Sequence, residues 1–185
     1  MAKNVYLFLA NGCEECEALI PVDILRRGGV DVTTVSITDS KLVTSSHNVT
    51  ITADKLISEI DKSAADMLIL PGGMPGTLNL GNCKELTDYV VSHLNSGKRI
   101  AAVCAAPTVF GKLGLLKGKK AICYPGMEGD LLDAIVTYEP VVTDGLITTS
   151  RGLGTSLPFA LELLKLLVSE EASKMISDKI VYTTK

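Results

Sequence analysis

Residues 98–118 read KRIAAVCAAPTVFGKLGLLKG, an apolar run of strand length, a cysteine set among alanines, then apolar residues at helical spacing. A thiol at such a junction has two readings. Cys104 is a small buried hydrophobe, as free cysteines often are, or it is the central residue of a turn too sharp for larger neighbours. In a strand-to-helix elbow the central residue is strained and those two positions away must be small. Ala102 and Ala106 hold those places. An elbow would also point the Cys104 side chain into a crevice at a helix N-terminus, where the macrodipole favours an anion and hence a thiolate.

The same strand-then-helix grammar runs outward in both directions. VYLFL (5–9) is a continuous apolar run, suited to a strand buried on both faces. The helix EALIPVDILRR follows, stopped by Gly28 and Gly29. VDVTTVS (30–36) is β-branched and alternating, ADMLILPGG carries a third buried strand, and residues 83–95 form a helix with Leu86, Val90 and Leu94 on one side. RIAAV is the fourth strand, ahead of a helix from Ala105 to about Leu116; GLITTS (145–150) is a further strand, and a Thr- or Ser-capped helix starts in GTSLPFALELLKLL. KLVTSSHNVTITA is expected as an edge hairpin. Strands alternating with helices predict a doubly wound, flavodoxin-like α/β fold: one domain over residues 1–185, with a mostly parallel sheet and helices on both faces.

Composition narrows the function classes. The 185 residues carry a net charge of −3 and are 46% hydrophobic but only 4% aromatic, so the core is aliphatic. Nucleic acid is not the expected partner, because phosphate binding needs a basic face. No segment has the length and freedom from charge to span a bilayer, and the N-terminal apolar run is too brief for a signal-peptide core. A cytoplasmic protein is expected. Five cysteines, an odd number, are expected as free thiols.

In open α/β sheets ligands bind beyond the carboxyl ends of the strands. Three loops there carry unusual residues: NGCEECE, PGGMPG and CAAP. Gly72 and Gly73 can turn backbone N–H groups toward a bound oxygen with no side chain in the way, although a plain turn also explains a Gly-Gly pair. Helical spacing places Glu17 on the side of Ile20 and Ile24, so its carboxyl points toward the apolar sheet face. There its pKa rises and it stays protonated, able to donate to a thiolate. Cys13-Glu14-Glu15-Cys16 has the C-x-x-C layout of a thiol–disulfide catalyst. Its two carboxylates would raise the thiol pKa, the wrong direction for attack, and a zinc site through these cysteines lacks a second ligand pair. His47 falls in the hairpin and His93 in the last turns of a helix; both are expected at the rim, outside the active edge.

The stretches LANGCEECEALIPVDILRRGGVDVT, LPGGMPG, IAAVCAAPTVF and DGLITTSRGLGTSLPFALELL, in order over nearly the whole chain, resemble the ThiJ/PfpI superfamily. Within it the similarity is to the branch of the parkinsonism-associated protein deglycase and its bacterial relatives. The resemblance implies that Cys104 is an oxidisable nucleophile hydrogen-bonded to protonated Glu17, with Gly72, Gly73 and the Ala105 amide as the oxyanion pocket. It implies no cofactor or metal, a homodimer paired through the helix after strand one, and a small aldehyde or a glycated protein adduct as substrate. The functions it implies are glyoxalase or protein deglycase, redox sensor and chaperone; older labels in the family are intracellular protease and thiamine-biosynthesis protein. Ala105 stands where the protease branch has histidine, which argues against peptidase activity. Ala106 replaces a common glycine, and Tyr124, before Pro125, stands where many relatives have a pocket histidine.

Overall fold

The computed structural model describes residues 3–182. In chain order the elements are β1 (Asn4–Leu9), α1 (Glu15–Arg27), β2 (Asp31–Ser36), β3 (Leu42–Thr44), β4 (Thr50–Thr52), β5 (Lys55–Leu56), β6 (Met67–Leu70), α2 (Gly76–Asn82), α3 (Lys84–Asn95) and β7 (Arg99–Val103). They continue with α4 (Pro107–Lys112), β8 (Lys120–Ala121), β9 (Ile135–Val136), β10 (Val141–Asp144), β11 (Ile147–Ser150), α5 (Ser156–Leu167) and α6 (Glu170–Lys179).

Seven strands form the main sheet in the order β10-β11-β7-β6-β1-β2-β5, parallel throughout except for β10. From β1 the chain steps to β2 on one side and later to β6 on the other. The reversal point of this doubly wound sheet therefore lies between β1 and β6, where such folds open their ligand crevice. Alternation within each apolar strand supplies two cores. Val5, Leu7 and Leu9 face α1 and α5 with Met67, Ile69, Ala101 and Val103; Tyr6, Phe8 and Ala10 face α3 and α4 with Leu68, Leu70, Ile100 and Ala102. The continuous apolar runs of the sequence are the signature of these two covered faces.

Several expectations are corrected. The hairpin exists, but β3 and β4 form their own antiparallel ribbon, and β5 takes the sheet edge. The helix expected over residues 105–116 is only the six-residue α4, ended at Leu113 and followed by Gly114 with φ +72°. At α5 neither Thr155 nor Ser156 caps the helix; the Thr155 hydroxyl instead pairs with Ser150 Oγ at 2.7 Å and donates to the Gly152 carbonyl. His93 is buried in the fold, not at its rim, with its ring edge-on to Tyr89. Helices α2 and α6 and strand β10 have no counterpart in the sequence reading. Among the described residues no helix is long and apolar enough to cross a membrane.

Candidate active site

Four chain segments meet at the carboxyl edge of the sheet. Leaving β1, the chain turns at Gly12 (φ +82°) and enters α1 with Glu14 as N-cap, its Oε2 accepting the Glu17 amide at 2.6 Å. That capping bond sets Glu17 on the first turn, pointing inward, and leaves it 1% exposed. Pro21, one turn later, lacks the N–H that would have bonded the Glu17 carbonyl. Leaving β6, the backbone of residues 71–75 folds against this turn: the Glu14 amide donates to the Gly72 carbonyl at 2.9 Å and the Gly76 amide to the Gly12 carbonyl at 3.0 Å.

Leaving β7, Cys104 adopts φ +63°, a left-handed conformation uncommon for a residue with a side chain. Its amide donates to the Ser150 carbonyl at 3.0 Å and its carbonyl accepts from the Tyr124 amide at 2.7 Å, so both neighbouring segments fix the strained residue. Ala102 and Ala106 are wholly buried beside it. The elbow reading of the alanine-flanked thiol is therefore the one the backbone adopts.

The glycines report how tightly the groups converge. A β-carbon on Gly72 would stand 2.5 Å from Cys104 Cβ and 2.6 Å from Glu17 Oε2; one on Gly152 would stand 3.7 Å from Glu17 Oε1 and 3.9 Å from Cys104 Sγ. Thiol and carboxyl are thus sandwiched between two glycines of two different loops. Tyr124 forms the outer wall, its ring half exposed and 3.6 Å from the same point on Gly152. The amides of Gly73 and Ala105 face the sulfur. Gly72 has a different task from the one expected: its N–H is already committed to Glu17 Oε2 at 3.1 Å, so it orients the carboxyl and is not free for a substrate oxygen.

Burial pushes the Glu17 carboxyl up to about 7, with the charge of Glu14 adding to it, while its contacts with Cys104 and the amides of Gly72 and Leu153 pull the other way. Burial also pushes the Cys104 thiol up to about 12, reinforced by the Glu17 charge and hydrogen bond and opposed by the Gly73 and Ala105 amides. The simple expectation of a helix-stabilised thiolate is corrected: α4 is short, and desolvation together with an ionised Glu17 outweighs it. The two groups form one coupled acid. After the first proton leaves, a sulfur anion exists only in the form in which Glu17 holds the remaining proton.

The other cysteines differ. Cys13 is wholly buried in the core under α1, where desolvation raises its thiol to about 11. Cys16 is exposed, and desolvation and the surrounding carboxylates raise it too. His47 is exposed, with Nδ1 3.0 Å from Glu15 Oε1; donor atoms of Glu14, Glu15 and His47 all lie within 4.8 Å of one another, the arrangement among the described residues that could hold a metal ion. A cleft of about 120 Å³ between α2 and α4, lined by Thr77, Asn82, Thr108 and Lys112, includes neither Cys104 nor Glu17. Chemistry, not depth, places the site.

The SRG stretch at Ser150, Arg151 and Gly152 matches the family, but sequence reasoning gave neither Gly152 nor the Leu153 amide a role in the site. The signal was present, since SRG follows a predicted strand and therefore opens a fourth loop at the active edge.

Known proteins share the sequence pattern and the fold. The model of the DJ-1/PfpI family matches residues 3–166. A DJ-1 homolog of Arabidopsis thaliana is 41% identical over 181 residues, covering 97% of this chain and 41% of the plant protein. The chain spans less than half the length of the two plant relatives it matches. A protein named a deglycase, from Pyrococcus abyssi, is 28% identical over 167 residues, covering 89% of this chain and 99% of its own. Among solved structures, oxidized DJ-1 of Toxoplasma gondii superposes with a TM-score of 0.95 at 35% identity, covering 99% of this chain and all of that one.

Proposed function

The chain belongs to the DJ-1/PfpI family, and from that premise we propose that it is a cofactor-free, cysteine-dependent glyoxalase or protein deglycase acting on methylglyoxal, glyoxal and their early adducts. The observation that carries the reading is the contact between the strained Cys104 and a buried Glu17 poised at about 7. A general acid–base group works best when its pKa lies near the operating pH.

The chemistry balances without an external oxidant. Cys104 sulfur adds to the aldehyde carbon of methylglyoxal, and the carbonyl oxygen takes a proton to give a hemithioacetal. The Gly73 and Ala105 amides stabilise that oxygen while it is negative. Glu17 removes the proton from the former aldehyde carbon; the electron pair moves into an enediol, and a proton returns to the adjacent carbon. The result is a thioester of lactate, and water cleaves its carbon–sulfur bond to release lactate and the thiol. On a glycated thiol or amine, whose former aldehyde carbon is already tetrahedral, Cys104 sulfur replaces the protein's sulfur or nitrogen at that carbon. The carbon–protein bond breaks, the protein group leaves with a proton as its free thiol or amine, and the same hemithioacetal results. Tyr124 contributes an outer wall to the pocket. The deglycase name of the Pyrococcus relative supports the assignment.

A redox-sensing role of the same thiol is the second reading. It is favoured by the Gly73 and Ala105 amides facing the sulfur, which would hold the oxygens of a sulfenic or sulfinic acid. For assembly we propose a homodimer through α1, whose exposed Cys16 and Leu19 and half-buried Ile20 line an open groove with Leu157. The proposed setting is the cytoplasm.

Lactate release from methylglyoxal by purified protein tests the enzyme reading. Cys104→Ser should lower it by at least about 10³-fold. Native protein that releases no lactate, yet is oxidised at Cys104 by equimolar peroxide, would favour the sensor.

A further inference from the structure

Helices α2 and α4 enclose a cleft of about 120 Å³ that the chemistry of Cys104 does not use. Its walls are mainly apolar, from Leu78 on α2 and from Val109 and Leu113 at α4. Two buried threonines also line it, one from each helix. The Thr108 hydroxyl is committed within the fold, donating to the Ala105 carbonyl at 2.7 Å. Thr77 is only 3% exposed, and its hydroxyl has no hydrogen-bond partner among the described residues. An unpaired buried hydroxyl is unfavourable, and native folds leave few of them without a protein, solvent or ligand partner.

The cleft also has a sign. Among the described residues that line it, Lys112 is the only charged one. Its ammonium stands 3.1 Å from Asp130 Oδ2, but Asp130 does not line the cleft, and both side chains are about half exposed, so this pair is screened and weak. An ionised carboxylate only accepts hydrogen bonds. The groups at hand donate them: the Thr77 hydroxyl, the Lys112 ammonium and the side-chain amide of Asn82.

From this cleft we propose a second ligand site, for a short-chain monocarboxylate of three or four carbons. Its carboxylate accepts from Thr77 and Lys112, and its alkyl tail lies against Leu78, Val109 and Leu113. The size agrees: a cavity of about 150 Å³ takes benzene, so about 120 Å³ suits propionate or butyrate. The Thr77 amide donates to the Gly73 carbonyl at 2.9 Å, and Thr108 is bonded to Ala105. The cleft is thus joined through the main chain to both residues whose amides face Cys104. The proposal does not rest on the reading of Cys104, which lies outside the cleft.

The test is an amide-resolved NMR titration of sodium butyrate into full-length protein at constant ionic strength. Saturable shifts should appear at amides of α2 and α4, with the same affinity in the Cys104→Ser protein. Lys112→Met keeps the length but removes the charge and should weaken binding at least tenfold. Thr77→Val keeps the shape but removes the hydroxyl and should weaken it at least threefold. Lys112 is exposed and the Thr77 hydroxyl is unpaired, so both variants should keep the native spread of amide signals. Gly81→Leu should abolish binding: a β-carbon there meets Val109 Cγ2 at an ordinary 3.5 Å, and the rest of the side chain fills the cleft. The uncharged analogue n-butanol should bind at least tenfold more weakly than butyrate. Native protein without saturable shifts, n-butanol that binds as well as butyrate, affinity unchanged in Lys112→Met or Thr77→Val, or binding lost in Cys104→Ser would overturn the site.

Discussion

Two strand-to-helix turns on the same edge of the sheet carry cysteines, yet their thiols have little in common. In the β1–α1 turn the positive φ falls on Gly12, and Cys13 turns its side chain into the core under α1. In the β7–α4 turn the positive φ falls on the cysteine itself, and Cys104 stays half-buried over the crevice. A strained backbone costs about 1–3 kcal/mol and persists only where its surroundings enforce it. Here the Ser150 carbonyl, the Tyr124 amide and two wholly buried alanines do so. The difference teaches that the position of the strained residue, more than the presence of a thiol near a helix start, decides which cysteine meets a carboxyl.

Glu17→Gln should have the largest effect on the chemistry of the β7–α4 turn. The amide still donates a hydrogen bond but cannot carry a proton between carbons, so lactate formation should fall by about 10²–10⁴-fold while Cys104 remains alkylable in alkaline solution. Retained turnover would reduce Glu17 to a structural residue and remove the contrast between the turns.

Gly72→Ala comes next. Its new β-carbon would lie 2.5 Å from Cys104 Cβ and 2.6 Å from Glu17 Oε2, so thiol and carboxyl must separate. Overpacking of this kind costs about 1–3 kcal/mol, visible as a lower midpoint in urea, and turnover should drop with it. Unchanged stability and turnover would mean that the two groups do not converge on Gly72.

Cys13→Ala should reverse the pattern of Cys104→Ser. Removing a wholly buried sulfur costs stability, about 1 kcal/mol, read in the same denaturant titration, and leaves turnover intact. Loss of turnover at full stability would give the C-x-x-C turn a chemical part after all.

Much of this contrast was legible in the sequence. The alanines around Cys104, the apolar runs of β1, β6 and β7, and the glycine pair after β6 report local constraints, and local constraints leave marks on residue types. Glu17 was found because helical spacing puts it on a buried face. What stayed hidden depends on partners distant in sequence. The Gly72 amide looks free until Glu17 takes it. Strand β10 is four residues long and is defined by antiparallel pairing with β11 across Gly145. His93 looks like a surface residue at a helix end until Tyr89 and the neighbouring elements cover it, which lowers its pKa to about 4, chiefly by burial. The thiol's own acidity was misjudged because the helix dipole is visible in sequence, whereas desolvation and an approaching carboxylate are not.

The central claim, that Cys104 and Glu17 titrate as one acid, is tested most directly by the pH dependence of site-resolved alkylation, with Cys16 as the internal reference. Glu17 is raised to about 7; above that pH the pair holds one proton, and a fraction of molecules carries it on Glu17 with sulfur as the anion. Iodoacetamide should therefore modify Cys104 at a rate that rises through pH 7 and then levels. Cys16, whose thiol is raised by desolvation and its acidic neighbours, should react appreciably only in alkaline solution. In Glu17→Gln the step near pH 7 should vanish. A Cys104 rate that stays flat through pH 7 and climbs only alongside that of Cys16, or a step that survives in Glu17→Gln, would contradict the account.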